Sequence, residues 1–145
     1  MRAVIQVVSG ASVKVDDKIT SQINKGYLVL LAIHATDAGD KIIKMADKIS
    51  DLRIFPDEKD KMNLSLKDVG GEILLVSQFT LYGDTKKGNR PSFIDSAKPD
   101  KAIPMYEKII DLLKEKGFKV ETGRFGANMS VSLINEGPTT IIIDL

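Results

Sequence analysis

The most constraining feature of the sequence is an uninterrupted apolar run at residues 27–33, which follows Gly26. Seven residues are too few for a membrane-spanning helix, which needs roughly 20. A strand that faces solvent on one side alternates apolar and polar residues, and this run does not alternate. The run therefore predicts a strand buried on both faces, with a layer of structure on each side of its sheet.

Other short, β-branched segments predict a strand-rich fold around this run. Breaks are expected at Ser9-Gly10 and at Gly137-Pro138, and residues 72–81 are the best candidate for the central strand. The predicted strands, apart from residues 27–33, are residues 3–8, 11–15, 18–23, 72–81, 118–121, 129–133 and 139–145.

Two segments have the apolar period of helices. The first is capped by Thr36 or Asp37, whose side-chain oxygens accept hydrogen bonds from a first helical turn. The second spans residues 101–116, with Pro104 in its first turn and Gly117 just past its end. The order of elements predicts a mixed α/β, α+β-like fold with two main helices.

The chain has 145 residues, no Cys, one His and a formal net charge of +1. This length predicts a single domain over residues 1–145. Without Cys, the chain has no disulfide, thiolate zinc site or Cys nucleophile. No leader or membrane segment is visible, so we expect a cytoplasmic protein.

Polar residues end the predicted strand 72–81, where Ser77, Gln78 and Thr80 follow an apolar stretch. Buried polar groups need partners or a ligand, and backbone N–H groups at a strand end can stabilise an oxyanion. Hydrogen bonds to neighbouring strands are the alternative for Ser77 and Thr80. His34, the single imidazole, could serve as a general base or a metal ligand. It is better interpreted as a polar residue at a strand end, because no second His or Cys completes a site.

Two further segments are candidates for binding. Lys86, Lys87 and Arg90 place three positive charges in one loop, which suits a phosphate backbone or simply a solvated surface. Gly137-Pro138 is a plain turn by default. A cis bond there would present two carbonyl oxygens in a fixed orientation, suited to an ammonium group.

Taken together, the sequence resembles the D-aminoacyl-tRNA deacylase family over nearly its whole length. The most specific signals are residues 77–81 (SQFTL) and 135–138 (NEGP), in this order and near these positions. The remaining matching segments are residues 1–6, 11–13, 52–55, 61–65, 90–93 and 122–125.

The resemblance implies a three-layer α/β/β domain with mostly antiparallel strands, acting as a homodimer without metal or organic cofactor. It implies hydrolysis of D-aminoacyl-tRNA and of glycyl-tRNA at the 3′ end. Neither DNA nor a membrane is implied as a partner. Gly137 and Pro138, joined by a cis bond, would enter the partner's pocket and reject an L side chain.

The resemblance also assigns roles around residues 77–80. Ser77, Gln78, Phe79 and Thr80 would form the catalytic wall, with N–H groups near Phe79 and Thr80 as oxyanion donors. The attacking water would be oriented by the tRNA 2′-hydroxyl, or Thr80 would act as a nucleophile.

Further matches and departures bear on the pocket and on tRNA contact. Met129 would line the pocket or simply fill the core. Lys86, Lys87 and Arg90 would contact the tRNA. The family usually has Arg where this chain has Val7 and often Arg where it has Gly10. Two other functions remain open: a small-ester hydrolase that uses Thr80 or Ser77, and a tRNA-binding module without turnover.

Overall fold

The computed structural model describes all residues, 1–145, as one α/β domain. Helix α1 is Asp40–Asp51, helix α2 is Pro99–Glu115, and a 3₁₀ turn covers Phe79–Tyr82. The strands are β1 (Arg2–Val15), β2 (Lys18–Ile23), β3 (Gly26–Ala32), β4 (Phe55–Pro56), β5 (Met62–Leu64), β6 (Glu72–Ser77), β7 (Val120–Thr122) and β8 (Ser130–Asp144).

Strand β3 lies in the middle of the main sheet, whose order is β2-β1-β3-β6-β7, with β8 also paired to β1. Nearly all its residues are buried, which confirms the prediction of a strand covered on both faces. Strand β1 is antiparallel to β2, β3 and β8, whereas β3–β6 and β6–β7 are parallel. Strand β6, predicted as central, is an interior strand beside β3.

The two faces of β3 and β6 have different coverings, which gives the three layers. Both helices pack on one face around a core that includes Ile5, Val29 and Ile109. A second cluster on the other face joins Leu28 and Leu74 to residues from the end of β1, from β2 and from β8. Strand β1 contributes to both clusters because it is long enough to pass from one strand layer to the next.

Two predicted breaks are irregularities inside continuous strands. Ser9-Gly10 lies within β1, where the pairing with β8 changes register. Gly137-Pro138 lies within β8, and the chain pairs with β1 on both sides of it. The prediction of two strands in each place was wrong because a bulge accommodates glycine and proline without reversing the chain.

The beginnings of both helices also differ from the prediction. Helix α1 starts after Gly39 without a side-chain cap, so neither Thr36 nor Asp37 caps it. Helix α2 begins at Pro99, whose fixed φ and missing N–H suit the first helical position. Pro104 consequently lies inside α2, beyond its first turn. Gly117 adopts φ +92° at the end of α2, as predicted.

Candidate active site

The polar end of β6 leaves the sheet one residue after Ser77. The Gln78 N–H donates to the Leu31 carbonyl at 2.8 Å, which is the last backbone hydrogen bond to β3, and the 3₁₀ turn follows at once. The prediction of a strand as far as residue 81 was therefore wrong. Leu81 donates to the Gln78 carbonyl at 3.2 Å, which closes the turn. Because the first N–H groups of a helix have no intrahelical acceptor, those of Phe79 and Thr80 need an acceptor from outside the turn.

The side chains of this turn hold one another. The Gln78 amide donates to Thr80 Oγ1, and Ser96 Oγ donates to the Phe79 carbonyl at 2.8 Å. No carboxylate or imidazole is a hydrogen-bond partner of Thr80. The arrangement fixes the backbone of residues 78–80 but provides Thr80 with no general base.

A cavity of about 560 Å³ opens at the carboxyl ends of β3 and β6. The start of α2 and the segment 125–129 form its other walls. Thr80 is not among the residues that line it. The lining includes the predicted residues Ser77, Gln78, Phe79 and Met129, together with Phe93, Ser96, Lys98 and Tyr106.

Met129 forms its part of the wall by packing against glycine. A Cβ atom on Gly123 would lie 2.8 Å from Met129 Sδ, so a side chain at position 123 would displace the methionine. Met129 also packs on the second core cluster, so the lining and core interpretations both describe its position.

Gly137 and Pro138 form an exposed bulge on β8, away from the cavity of their own chain. Between the pairs Gln6–Thr140 and Val8–Asn135, β1 advances by two residues and β8 by five. The extra length projects residues 136–139 out of the sheet. The Gly137–Pro138 peptide bond is cis, and Gly137 has φ +107°.

Asn135, which the sequence analysis quoted within NEGP without assigning it a role, closes the base of this bulge. Its Nδ2 donates to the Val7 carbonyl at 2.9 Å and to the Thr139 carbonyl at 3.0 Å. Thus the backbone of Val7, rather than its buried side chain, takes part in holding the bulge. The signal in the sequence was an amide residue placed two positions before Gly-Pro.

The basic loop is closed by a pair of backbone hydrogen bonds between Asp84 and Ser92, at 2.8 and 2.9 Å. Lys86, Lys87 and Arg90 are exposed, and none of them forms a salt bridge. They do not line the cavity. Lys98, missed by the sequence analysis, brings a cation to the cavity wall.

His34 lies at the end of β3, as predicted. Its Nδ1 is 2.9 Å from Thr36 Oγ1, and its ring packs edge-on against Tyr82 at 5.0 Å. No group of three or more His, Cys, Asp or Glu side chains is placed to hold a metal ion. Neither helix has the length and apolar character to cross a membrane.

A family model described as D-Tyr-tRNA(Tyr) deacylase matches residues 4–144. The chain belongs to this family. A D-aminoacyl-tRNA deacylase of Thermotoga petrophila is 54% identical over 144 residues, covering 99% of this chain and 97% of the relative. One of Bacillus pumilus is 56% identical over 144 residues, covering 99% and 98%.

One relative shows that family membership and activity can separate. An inactive D-aminoacyl-tRNA deacylase of Bacillus subtilis is 59% identical over 129 residues, covering 89% of this chain and 98% of the relative. Unlike the two relatives above, it leaves about a tenth of this chain unmatched.

Two solved structures share the architecture of this chain. A c-Myc DNA unwinding element binding protein matches with a TM-score of 0.93 and 38% identity, covering 100% of this chain and 99% of the other. A probable eukaryotic D-amino acid tRNA deacylase matches with a TM-score of 0.84 at 19% identity, covering 99% and 98%, which shows the fold. The mixed α/β domain predicted from the sequence is thereby confirmed.

Proposed function

We propose that this chain hydrolyses the ester bond of D-aminoacyl-tRNA and releases the free D-amino acid and tRNA. The observation that carries the proposal is the family match over residues 4–144, combined with a cavity beside residues 77–79. The family model and the full-length relatives name the substrate class. The same site would accept glycyl-tRNA, since glycine has no side chain to exclude.

The chemistry proposed for the site is attack by water on the ester carbonyl. The N–H groups of Phe79 and Thr80 stabilise the oxyanion as it develops. The bond between the acyl carbon and the ribose oxygen then breaks. The water oxygen stays on the acyl carbon in the free amino acid, and the proton that the water loses passes to the ribose oxygen. Positioning of a reactive ester contributes the rest, with the neighbouring 2′-hydroxyl of tRNA orienting the water.

The absence of a base beside Thr80 favours this route over a Thr80 nucleophile. A hydroxyl nucleophile is ordinarily activated by an adjacent base, and the partner of Thr80 is the neutral Gln78 amide. For the same reason a general small-ester hydrolase that uses Thr80 or Ser77 is the weaker candidate.

A second copy of the chain is proposed to complete the site. Val4 pairs with Leu30 on one side and with Ile142 on the other, on the sheet face turned away from the helices. Ile142 is 66% exposed, so this face presents apolar area suited to a dimer contact. The exposed Gly137-Pro138 bulge projects from the adjoining part of β8 and would reach the partner's cavity.

In the proposed homodimer, Gly137 and Pro138 select the chirality of the substrate. Their carbonyl oxygens would receive the α-amino group, and an L side chain would collide with the bulge. A wall made of backbone excludes an L side chain more strictly than a mobile side chain does, because the backbone cannot change rotamer. Lys86, Lys87 and Arg90 are proposed to contact the phosphates of tRNA.

The deciding experiment compares deacylation of D-Tyr-tRNA, L-Tyr-tRNA and glycyl-tRNA(Ala) with hydrolysis of p-nitrophenyl acetate. We expect turnover of the D and glycyl substrates, with the L substrate spared. Equal rates on D- and L-Tyr-tRNA contradict chiral selection, and turnover of the small ester alone favours the general hydrolase. Salt-sensitive binding of tRNA without any turnover would leave a tRNA-binding module instead.

A further inference from the structure

Arg2, the first residue of β1, links the end of β8 to the 3₁₀ turn of the candidate site. Its Nε and Nη2 both donate to Asp144 Oδ2, at 3.1 and 2.5 Å. Its Nη1 donates to the Leu81 carbonyl at 3.0 Å. One side chain therefore joins the turn to the strand that carries the Gly137-Pro138 bulge.

Tyr82, the last residue of the turn, is held on two sides. The Arg2 guanidinium lies 5.1 Å from the centroid of the Tyr82 ring, within the range of a cation–π attraction. The His34 ring meets the same ring edge-on, with the centroids 5.0 Å apart. Because the same guanidinium donates to the Leu81 carbonyl, Arg2 fixes the last two residues of the turn.

These contacts lie at the end of the turn opposite to the proposed oxyanion donors. Peptide dipoles in a helical turn align along its axis, so a cation is favourable beside the last carbonyls. The Leu81 N–H donates to the Gln78 carbonyl at 3.2 Å, which makes the short turn one unit. Holding Leu81 therefore restricts the directions in which the N–H groups of Phe79 and Thr80 point.

We propose that Arg2 is a positioning residue for hydrolysis, which acts through the 3₁₀ turn without touching the substrate. The inference rests on the proposed function, in which the N–H groups of Phe79 and Thr80 stabilise the oxyanion. Ser96 Oγ holds the first residue of the turn, and Arg2 holds its far end. Oxyanion donors are effective when they are aimed in advance at the developing charge, and a turn held at both ends keeps that aim.

The surroundings of Arg2 favour positioning over direct contact with substrate or tRNA. Arg2 does not line the cavity. Each of its three guanidinium nitrogens donates to a protein acceptor, and the Asp144 carboxylate neutralises its charge. A phosphate would have to compete with both acceptors, whereas the three cations of the basic loop form no salt bridge.

The test compares single-turnover deacylation of D-Tyr-tRNA by the wild type and by Arg2→Met, which keeps an apolar stem and removes the guanidinium. Removing an oxyanion donor outright costs about 10²–10³ in rate, so misaiming two donors should cost less, and we expect a fall of about tenfold. KM should change by less than about twofold, because the lost contact acts on the transition state. Arg2→Lys keeps a cation for the Leu81 carbonyl and is expected to recover most of the lost rate.

Arg53→Met is the matched control, since it makes the same change at an arginine that also holds a backbone carbonyl. Arg53 Nε donates to the Asn63 carbonyl at 2.6 Å, and Arg53 does not line the cavity. This variant should keep the wild-type rate and KM. In ¹⁵N-labelled chains, the amide resonances of Phe79 and Thr80 should shift in Arg2→Met and stay in place in Arg53→Met. An equal fall in rate in both variants would overturn positioning in favour of a general loss of stability.

The remaining outcomes separate this inference from the proposed function. A raised KM with an unchanged rate in Arg2→Met would make Arg2 a contact of tRNA and overturn the positioning role. An active wild type matched by Arg2→Met in rate and KM overturns the inference and leaves the deacylase function standing. A wild type that turns over no aminoacyl-tRNA contradicts the proposed function and the inference together. Thermal unfolding checks that each variant is folded, and Arg2→Gln, with the same expectation, replaces Arg2→Met if that variant is not.

Discussion

The two routes to hydrolysis differ in the role that they give to the hydroxyl of Thr80. Because Thr80 Oγ1 accepts a hydrogen bond from the Gln78 amide and has no neighbouring base, Thr80→Ala should retain at least about a tenth of the wild-type kcat. Loss of a true nucleophile costs on the order of 10⁶ in kcat in a serine protease. Single-turnover deacylation of D-Tyr-tRNA measures the difference. Complete loss in a folded variant that still binds tRNA would establish a role for the hydroxyl.

Asn135 is the residue that holds the Gly-Pro bulge in a fixed orientation. In Asn135→Asp, the Nδ2 donor to the Val7 and Thr139 carbonyls is replaced by an oxygen that repels them. We expect a loss of about 1–3 kcal/mol in unfolding free energy, from two hydrogen bonds. We also expect the ratio of kcat/KM for D- over L-Tyr-tRNA to fall severalfold, because a looser bulge excludes L side chains less well.

The D-over-L ratio must be measured as well as stability, because a merely structural role of Asn135 would lower stability alone. The matched control is Gln22→Glu, which makes the same change of amide to carboxylate on an exposed residue of β2. A D-over-L ratio unchanged in Asn135→Asp would contradict a positioning role for Asn135.

The connection between β3 and α1 contains a buried ionic cluster. Asp37, with a side chain 0% exposed, accepts hydrogen bonds from the Met1 ammonium and from Lys41 Nζ, both at 2.8 Å, and from the His34 N–H. Burial alone would raise the pKa of Asp37, but the hydrogen bond from Lys41 and those from Met1 and His34 outweigh it. The pKa therefore lies below its ordinary value.

This lowered pKa determines the pH dependence of stability. The contribution of Asp37 is present above its unfolded pKa and is lost as the pH falls through the lower folded value. Asp37→Ala leaves a buried cation unpaired, so we expect a loss of about 3–5 kcal/mol near pH 7. Urea unfolding from pH 2 to 7 should show a smaller acid-dependent loss in the variant. An equally steep dependence would mean that other carboxylates dominate.

The parallel pairing of β3 and β6 depends on close contact at its first residue. A Cβ on Gly26 would lie 1.9 Å from the Glu72 carbonyl oxygen, a backbone atom that cannot move aside. Gly26→Ala should destabilise the chain by about 3 kcal/mol or more. Gly39→Ala is the control, because nothing lies within 4 Å of its added Cβ, and its midpoint in urea should barely change. Similar midpoints for the two variants would contradict this account.

The elements show which parts of the structure a sequence can predict. Strand β3 was predictable because a continuous apolar run permits little besides burial. The end of β6 was not, since residues 78–81 alternate polar and apolar residues as a strand does, and only the three-dimensional contact with Leu31 shows where pairing stops. The prediction of Asp37 as a cap of α1 was wrong because Asp37 pairs with Met1, a contact between distant parts of the chain.

In the candidate site, residues 77–79 were predictable because they form one contiguous segment, whereas Met129 was assigned only through the family resemblance. Residues 77–79 and Met129 do meet at one cavity. Lys98 and the role of Asn135 were missed because a lysine before a helix and an asparagine in a strand are common surface patterns. Their relevance depends on packing that brings one to the cavity wall and the other across a bulge.

At the scale of the whole molecule, the cavity and the bulge lie apart within one chain, and a second copy is proposed to bring them together. The apolar face formed by Val4, Leu30 and Ile142 is the proposed contact. Ile142→Asp places a charge on this face without disturbing the core, because the side chain is 66% exposed. We expect the variant to sediment as a monomer and to lose discrimination between D- and L-Tyr-tRNA, since the bulge of the partner no longer reaches the cavity.

Ile43→Asp is the matched control for this dimer prediction. Ile43 is similarly exposed but stands on α1, which covers the opposite face of the sheet. Its variant should sediment as the wild type does and keep the same ratio of D to L hydrolysis. A wild type that is monomeric at assay concentration yet still rejects L-Tyr-tRNA would contradict the shared site, because Gly137 and Pro138 do not line the cavity of their own chain. Selection would then have to come from the walls of one cavity alone.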